Sequence, residues 1–64
     1  MINNKQTRER VRNFLADTRA SKSHFSRTID ISWSYFNNWL RGDIDISERF
    51  INKMNAYLDE VYKK

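Results

Sequence analysis

Residues 25–42, FSRTIDISWSYFNNWLRG, decide the fold of this chain. Phe25 and Ile29 lie four positions apart and share one face of a helix. That helix should start near Ser21 or Ser23, where a hydroxyl can accept from an unpaired amide of the first turn. Asp30 follows as the turn residue, because Asp tolerates left-handed backbone better than most side chains and can bond to its own backbone. Ser32 then caps a second helix. With Ser32 as the cap, Ile31 stands just before it and Phe36 four positions inside, the spacing of a hydrophobic staple that fixes the angle between chain and helix. Two helices joined this tightly must cross steeply.

On the second helix each residue advances about 100° around the axis, so Phe36, Trp39 and Leu40 fall within roughly 100° of one another and form a core face. Measured from Phe36, Ser34 and Asn38 lie about 160° away on either side and Arg41 about 140°, so the spacing predicts that all three point outward. Tyr35 and Asn37 flank this stripe, and Trp33 occupies the first turn. The outward surface is polar and aromatic and carries no acid. A solvated helix more often shows Glu and Lys there, whereas a helix lying against phosphates must avoid carboxylates. Asn can pair bidentately with the N6 and N7 edge of adenine, Ser can donate or accept, and Trp or Tyr can contact a thymine methyl. Adjacent Asn residues are also poor helix formers, so readout explains them better than stability does.

These residues resemble the lambda-repressor-like helix-turn-helix domains, also called the Cro or xenobiotic-response-element type, over about residues 21–51. Phe25 looks like the family's apolar residue on the scaffold helix, and Ser26 takes the place of its usual Ala. Ile31 and Ser32 match the Val-Ser step that opens the recognition helix. Phe36 matches the buried aliphatic, and Trp39 with Gly42 matches the family's Trp and following loop Gly. The chain departs from the pattern at Asp30, where Gly is common, a change worth of order 1 kcal/mol in the turn. Leu40 replaces a frequent acidic residue, and the loop after Gly42 lacks the common Pro and is acidic at Asp43 and Asp45.

The resemblance implies an all-α fold: a compact four- to five-helix lambda-repressor-like domain over residues 1–64, with the helix-turn-helix at about 21–41. It implies a sequence-specific DNA-binding transcription regulator, a phage-type repressor or Cro-like protein that acts by operator occupancy. Carried over by position, Trp33, Ser34 and Asn38 fall where the family touches bases in the major groove, with Asn37 adjacent. Lys22 and Arg41 fall where it meets the DNA backbone, and Arg27 and Tyr35 complete the backbone candidates.

Length and charge fit this reading. Sixty-four residues make one small domain near the lower limit for unaided folding. The absence of Cys removes disulfides and thiolate metal sites, and one Gly with no Pro favours helices over turn-rich β structure. No apolar run approaches the roughly 18 residues of a membrane span and no leader resembles a signal peptide, so a cytoplasmic protein with no membrane contact is expected. Residues 1–42 hold 8 basic and 3 acidic side chains, for +5, whereas residues 43–64 hold 4 and 5, for −1. The basic part contains the helix pair, as phosphate neutralisation requires, and binding should fall steeply with salt. There is no phosphate-cradling Gly loop, no zinc spacing and no carboxylate pair forced together. His24, the only histidine, lacks a ligand or nucleophile partner. The chain is therefore expected to be no enzyme and to use no cofactor or metal.

The flanks read as support. A helix over about residues 5–18 sets Val11, Phe14, Leu15 and Thr18 at helical spacing, with Arg8, Arg10 and Arg12 on other faces. Asp45 or Ser47 can cap a last helix, Asp45 and Glu48 standing at capping-box separation. Phe50, Ile51, Met54, Tyr57, Leu58 and Val61 supply its apolar face. That face is broader than one small domain needs, which leaves Tyr57, Val61 and Tyr62 to pair with a second copy as a homodimer presenting its recognition helices one DNA turn apart. The alternative keeps the fold and changes the partner: a helix-turn-helix antirepressor or inhibitor that binds a protein, with Trp33 and Tyr35 as aromatic anchors.

Overall fold

Four helices follow one another in the computed structural model, which describes residues 3–62: α1 (Asn4–Thr18), α2 (Lys22–Ile29), α3 (Trp33–Arg41) and α4 (Glu48–Tyr62). No strand occurs among the described residues, and the chain is all-α. The domain span expected from sequence includes residues 1, 2, 63 and 64, which lie outside the described residues.

Polar side chains start the first three helices. Asn3 caps α1 by accepting from the Gln6 amide at 2.8 Å, so this helix begins slightly earlier than its apolar spacing suggests. Ser21, rather than Ser23, caps α2 by accepting from His24 at 3.0 Å, and Ser32 caps α3 by accepting from Tyr35 at 3.3 Å. Between α2 and α3, Asp30 adopts left-handed backbone at φ 65°. Its N–H donates to the Arg27 carbonyl at 3.1 Å while the Ile31 N–H donates to Ser26 at 2.9 Å. This Schellman arrangement satisfies the last carbonyls of α2 and hands the chain to α3 within three residues. Gly42, at φ 92°, ends α3 in the same way, with Gly42 donating to Trp39 and Asp43 to Asn38, both at 3.0 Å.

The start of α4 corrects one expectation. Ser47 occupies the cap position, where its carbonyl accepts from Phe50 and Ile51, but Asp45 does not form a capping box with Glu48. The Asp45 carboxylate instead accepts from Arg8 on α1 at 3.2 Å.

All four helices and both flanking loops feed one core: Val11, Phe14, Phe25, Ile29, Ile31, Phe36, Trp39, Leu40, Ile46, Ile51, Met54 and Leu58. Aromatic rings run through it, from Phe14 to Phe25 at 5.8 Å, Phe25 stacked on Phe36 at 5.4 Å, and Phe36 to Trp39 at 5.9 Å. Such offset and edge contacts add to the burial of each ring. Ile31 and Phe36 both lie in this core, as the staple requires. Tyr57 sets its ring edge-on to Phe14 and Phe25, at 5.9 and 5.6 Å. It is therefore engaged within the chain rather than left over for a second copy, because the two Phe rings meet where α1, α2 and α4 converge. Thr18 also departs from its expected place: it is exposed, and its hydroxyl donates to the Phe14 carbonyl at 2.7 Å.

Helices α1 and α4 run in the same sense. Asn4 meets Ile46 just before α4, Arg10 reaches Asn55 and Asp59, and Phe14 meets Tyr62 near its end. The Cα radius of gyration of 10.7 Å equals the compact-domain expectation of about 10–11 Å, so no helix projects alone.

Candidate nucleic-acid interface

Helix α3 buries Phe36, Trp39 and Leu40 and presents its remaining side chains outward. Trp33 is 48% exposed, Ser34 and Arg41 are exposed, and Tyr35 is 38% exposed. Asn37 and Asn38 are half-buried, so Asn38 faces outward less completely than the wheel predicts. At the end of the helix the Asp43 N–H returns to the Asn38 carbonyl. Among the described residues, no side chain of α3 is acidic.

The expected contact residues fall into separate neighbourhoods. Arg27 and Trp33 share a groove of about 510 Å³ with Ser23, Ser26, Ile31 and Ser32, at the α2–α3 joint. Lys22 and Arg41 line a second groove of about 270 Å³, with Arg12, Leu15 and Leu40. Tyr35 leans away from both and sets its ring edge-on to Phe50 of α4 at 6.2 Å. Arg41 pairs with Asp43 at 3.4 Å, both side chains being more than half exposed. Its charge is thus partly answered by the acidic loop, though an exposed pair of this kind is worth little in water.

No protein-family model matches the chain, and no curated protein or solved structure matches it. The local geometry therefore carries the functional argument.

That geometry includes a set of ties which the periodicity of the sequence did not reveal. The Trp39 indole N–H donates to Asn4 Oδ1 at 2.8 Å, and the same oxygen accepts from the Ile46 amide at 3.0 Å. Arg8 donates through Nε to the Trp39 carbonyl at 2.6 Å and through Nη2 to the Ile44 carbonyl at 3.1 Å. Its guanidinium also lies 5.4 Å from the Trp39 ring centre. Arg12 donates to the Leu40 carbonyl. Two cations from α1 thus meet the carbonyl end of α3, where the helix dipole is negative. Farther along, Arg10 donates to Asn55 Oδ1 and pairs with Asp59 at 3.0 Å. Buried Asn55 in turn donates to buried Thr7 at 2.8 Å. These arginines read in sequence as bystanders on other faces of α1. Their partners lie on α3, on α4 and in the 42–47 loop, too distant in sequence for helical spacing to register. The one available signal was the buried Trp39, whose indole N–H requires a partner.

With Arg8 and Arg10 committed to internal bonds, Lys22, Arg27 and Arg41 are the basic side chains beside the exposed part of α3, joined by Arg12 through the donors that its bond to the Leu40 carbonyl leaves over. Among the described residues no group of His, Cys, Asp and Glu could hold a metal ion, and no helix is long and apolar enough to cross a membrane.

Proposed function

We propose that this chain is a sequence-specific DNA-binding transcription regulator in which α2 and α3 form a helix-turn-helix and α3 is the recognition helix. The observation that carries the reading is the outer side of α3, which holds exposed Trp33 and Ser34, half-buried Asn37 and Asn38 and no carboxylate, with Arg27 in a groove beside Trp33 and Lys22 in a groove beside Arg41. A helix fits the major groove, where Asn and Ser can distinguish base edges and the cations answer phosphates. Tyr35, held against Phe50, joins them on the backbone side. The protein works by occupancy, as a repressor or Cro-like switch that covers an operator. A homodimer presents two such helices to a palindromic site; at the end of α4 Tyr62, edge-on to Phe14 yet 52% exposed, is the side chain with surface left for that contact.

The experiment is a pair of substitutions measured by fluorescence anisotropy on a duplex enriched from a random pool. Asn38→Ala costs about 1–3 kcal/mol and relaxes base preference at one position. Lys22→Ala weakens all sequences alike and lowers the slope of log affinity against log salt by about one. Uniform weakening by Asn38→Ala removes the readout role. A second reading, an antirepressor that docks on a protein, draws on the exposure of Trp33 and Tyr35, since exposed aromatic rings are the usual anchors of protein interfaces.

A further inference from the structure

We propose that the groove between the first turn of α2 and the last turn of α3 binds a small amphiphilic carboxylate, a compound with one anionic end and a short apolar body. Five side chains line this groove of about 270 Å³, and they divide by chemistry. Arg12, Lys22 and Arg41, one from each of α1, α2 and α3, are cationic. Leu15 and Leu40 are apolar. No carboxylate is part of the lining, so the cations repel one another across an apolar surface, and an anion seated among them relieves that repulsion.

Each cation is placed for this role. Arg12 is held by its bond to the Leu40 carbonyl, which spends one of its five donors and leaves the rest of the fork free. Lys22 stands in the first turn of α2, where unpaired amides add partial positive charge. Arg41 is tethered nearby by Asp43, but both members of that pair are more than half exposed, so a better anion can compete for the guanidinium.

The leucines decide between kinds of anion. A simple inorganic anion satisfies the cations but leaves Leu15 and Leu40 uncovered, while a neutral apolar molecule covers the leucines and leaves Arg12 and Lys22 without a counter-charge, Arg41 having only Asp43. A short-chain carboxylate does both. The volume lies just below the roughly 300–1,000 Å³ of pockets for drug-sized ligands, which suits a small acid rather than a long acyl chain.

A consequence follows that does rest on the DNA reading: Lys22 and Arg41 are two of the proposed backbone contacts, so a bound carboxylate withdraws both from phosphate and lowers DNA affinity. By linkage, DNA lowers carboxylate affinity by the same factor.

The test is an NMR titration of the isotope-labelled full chain, without DNA, using hexanoate, its neutral analogue hexanamide, and inorganic phosphate. Hexanoate should produce saturable shifts concentrated at Leu15, Lys22, Leu40 and Arg41, and should bind at least about tenfold more tightly than either control. Lys22→Met, on an exposed position, should lower hexanoate affinity about tenfold while leaving the rest of the spectrum in place. Absence of saturable shifts with hexanoate overturns the proposal. So does phosphate binding as tightly as hexanoate, which marks an adventitious ion only, and so does unchanged binding by Lys22→Met. Because no DNA is present, failure here counts against the groove alone, and failure to select a duplex counts against the DNA reading alone.

Discussion

At the scale of single residues, α3 divides its side chains between those buried in the core and those that face outward. Trp39 belongs wholly to the first group: its ring is buried, its indole N–H is bound by Asn4, and its carbonyl is bound by Arg8. Trp33, six positions earlier, is half exposed and borders the groove that contains Arg27. Arg41 also faces outward, but Asp43 shares its charge. Asp43→Asn should therefore free the guanidinium for phosphate and raise DNA affinity by up to about fivefold at low salt, since exposed pairs contribute at most about 1 kcal/mol. Anisotropy titrations of the two proteins check this; equal affinities would show that Arg41 does not meet the backbone. The division was largely legible in the sequence. Spacing from Phe36 separates Trp39 and Leu40 from Ser34 and Arg41 on any regular helix, whatever the rest of the chain does. It overstated the exposure of Asn38, which is half-buried, because a helical wheel holds nothing of what packs beside the helix.

At the scale of elements, the α2–α3 joint is set by local chemistry and the seat of α3 by distant chemistry. The joint was readable because each of its devices spans only a few residues: the Ser32 cap, the left-handed Asp30, and the Ile31–Phe36 staple. Asp30 tolerates its φ of 65°, but Gly does so without a Cβ penalty. Asp30→Gly should raise stability by up to about 1 kcal/mol in urea denaturation, and a loss of similar size would mean that the Asp side chain is a necessary part of the turn. The seat of α3 was not readable. Arg8 joins α1 to the Trp39 and Ile44 carbonyls and to Asp45, partners 31 to 37 positions away, a relation with no local period. Its side chain is 14% exposed, so removal strands carbonyls that it now serves. Arg8→Met should cost about 2–3 kcal/mol in the same assay, with Arg8→Lys recovering only part because an ammonium lacks the planar fork. Full stability in Arg8→Met would show the contacts to be incidental. The same blindness explains Asp45, which with Ser47 was one of two candidate caps in the sequence and instead pairs with Arg8.

At the scale of the whole molecule, a core drawn from every helix fixes α3 against α1 and leaves its outer face beside the basic ends of α2 and α3. The charge asymmetry of the sequence, +5 over residues 1–42 against −1 over 43–64, anticipated that side but overstated it. Arg8, Arg10 and Arg12 count toward the +5, yet all three bond to the protein itself. The apolar face of α4, which read as broader than one domain needs, is largely consumed at Tyr57 by the rings of Phe14 and Phe25. At its end Val61 packs against the core and Tyr62 meets Phe14 edge-on at 6.0 Å while staying 52% exposed. The central claim is that α3 selects base sequence, and selection of duplexes from a random pool by the intact protein tests it most directly. A DNA-reading α3 enriches a defined site, palindromic with half-sites about one helical turn apart if the protein binds as a dimer. No enriched site, with only weak binding that vanishes as salt rises, would contradict it and turn attention to a protein partner for Trp33 and Tyr35.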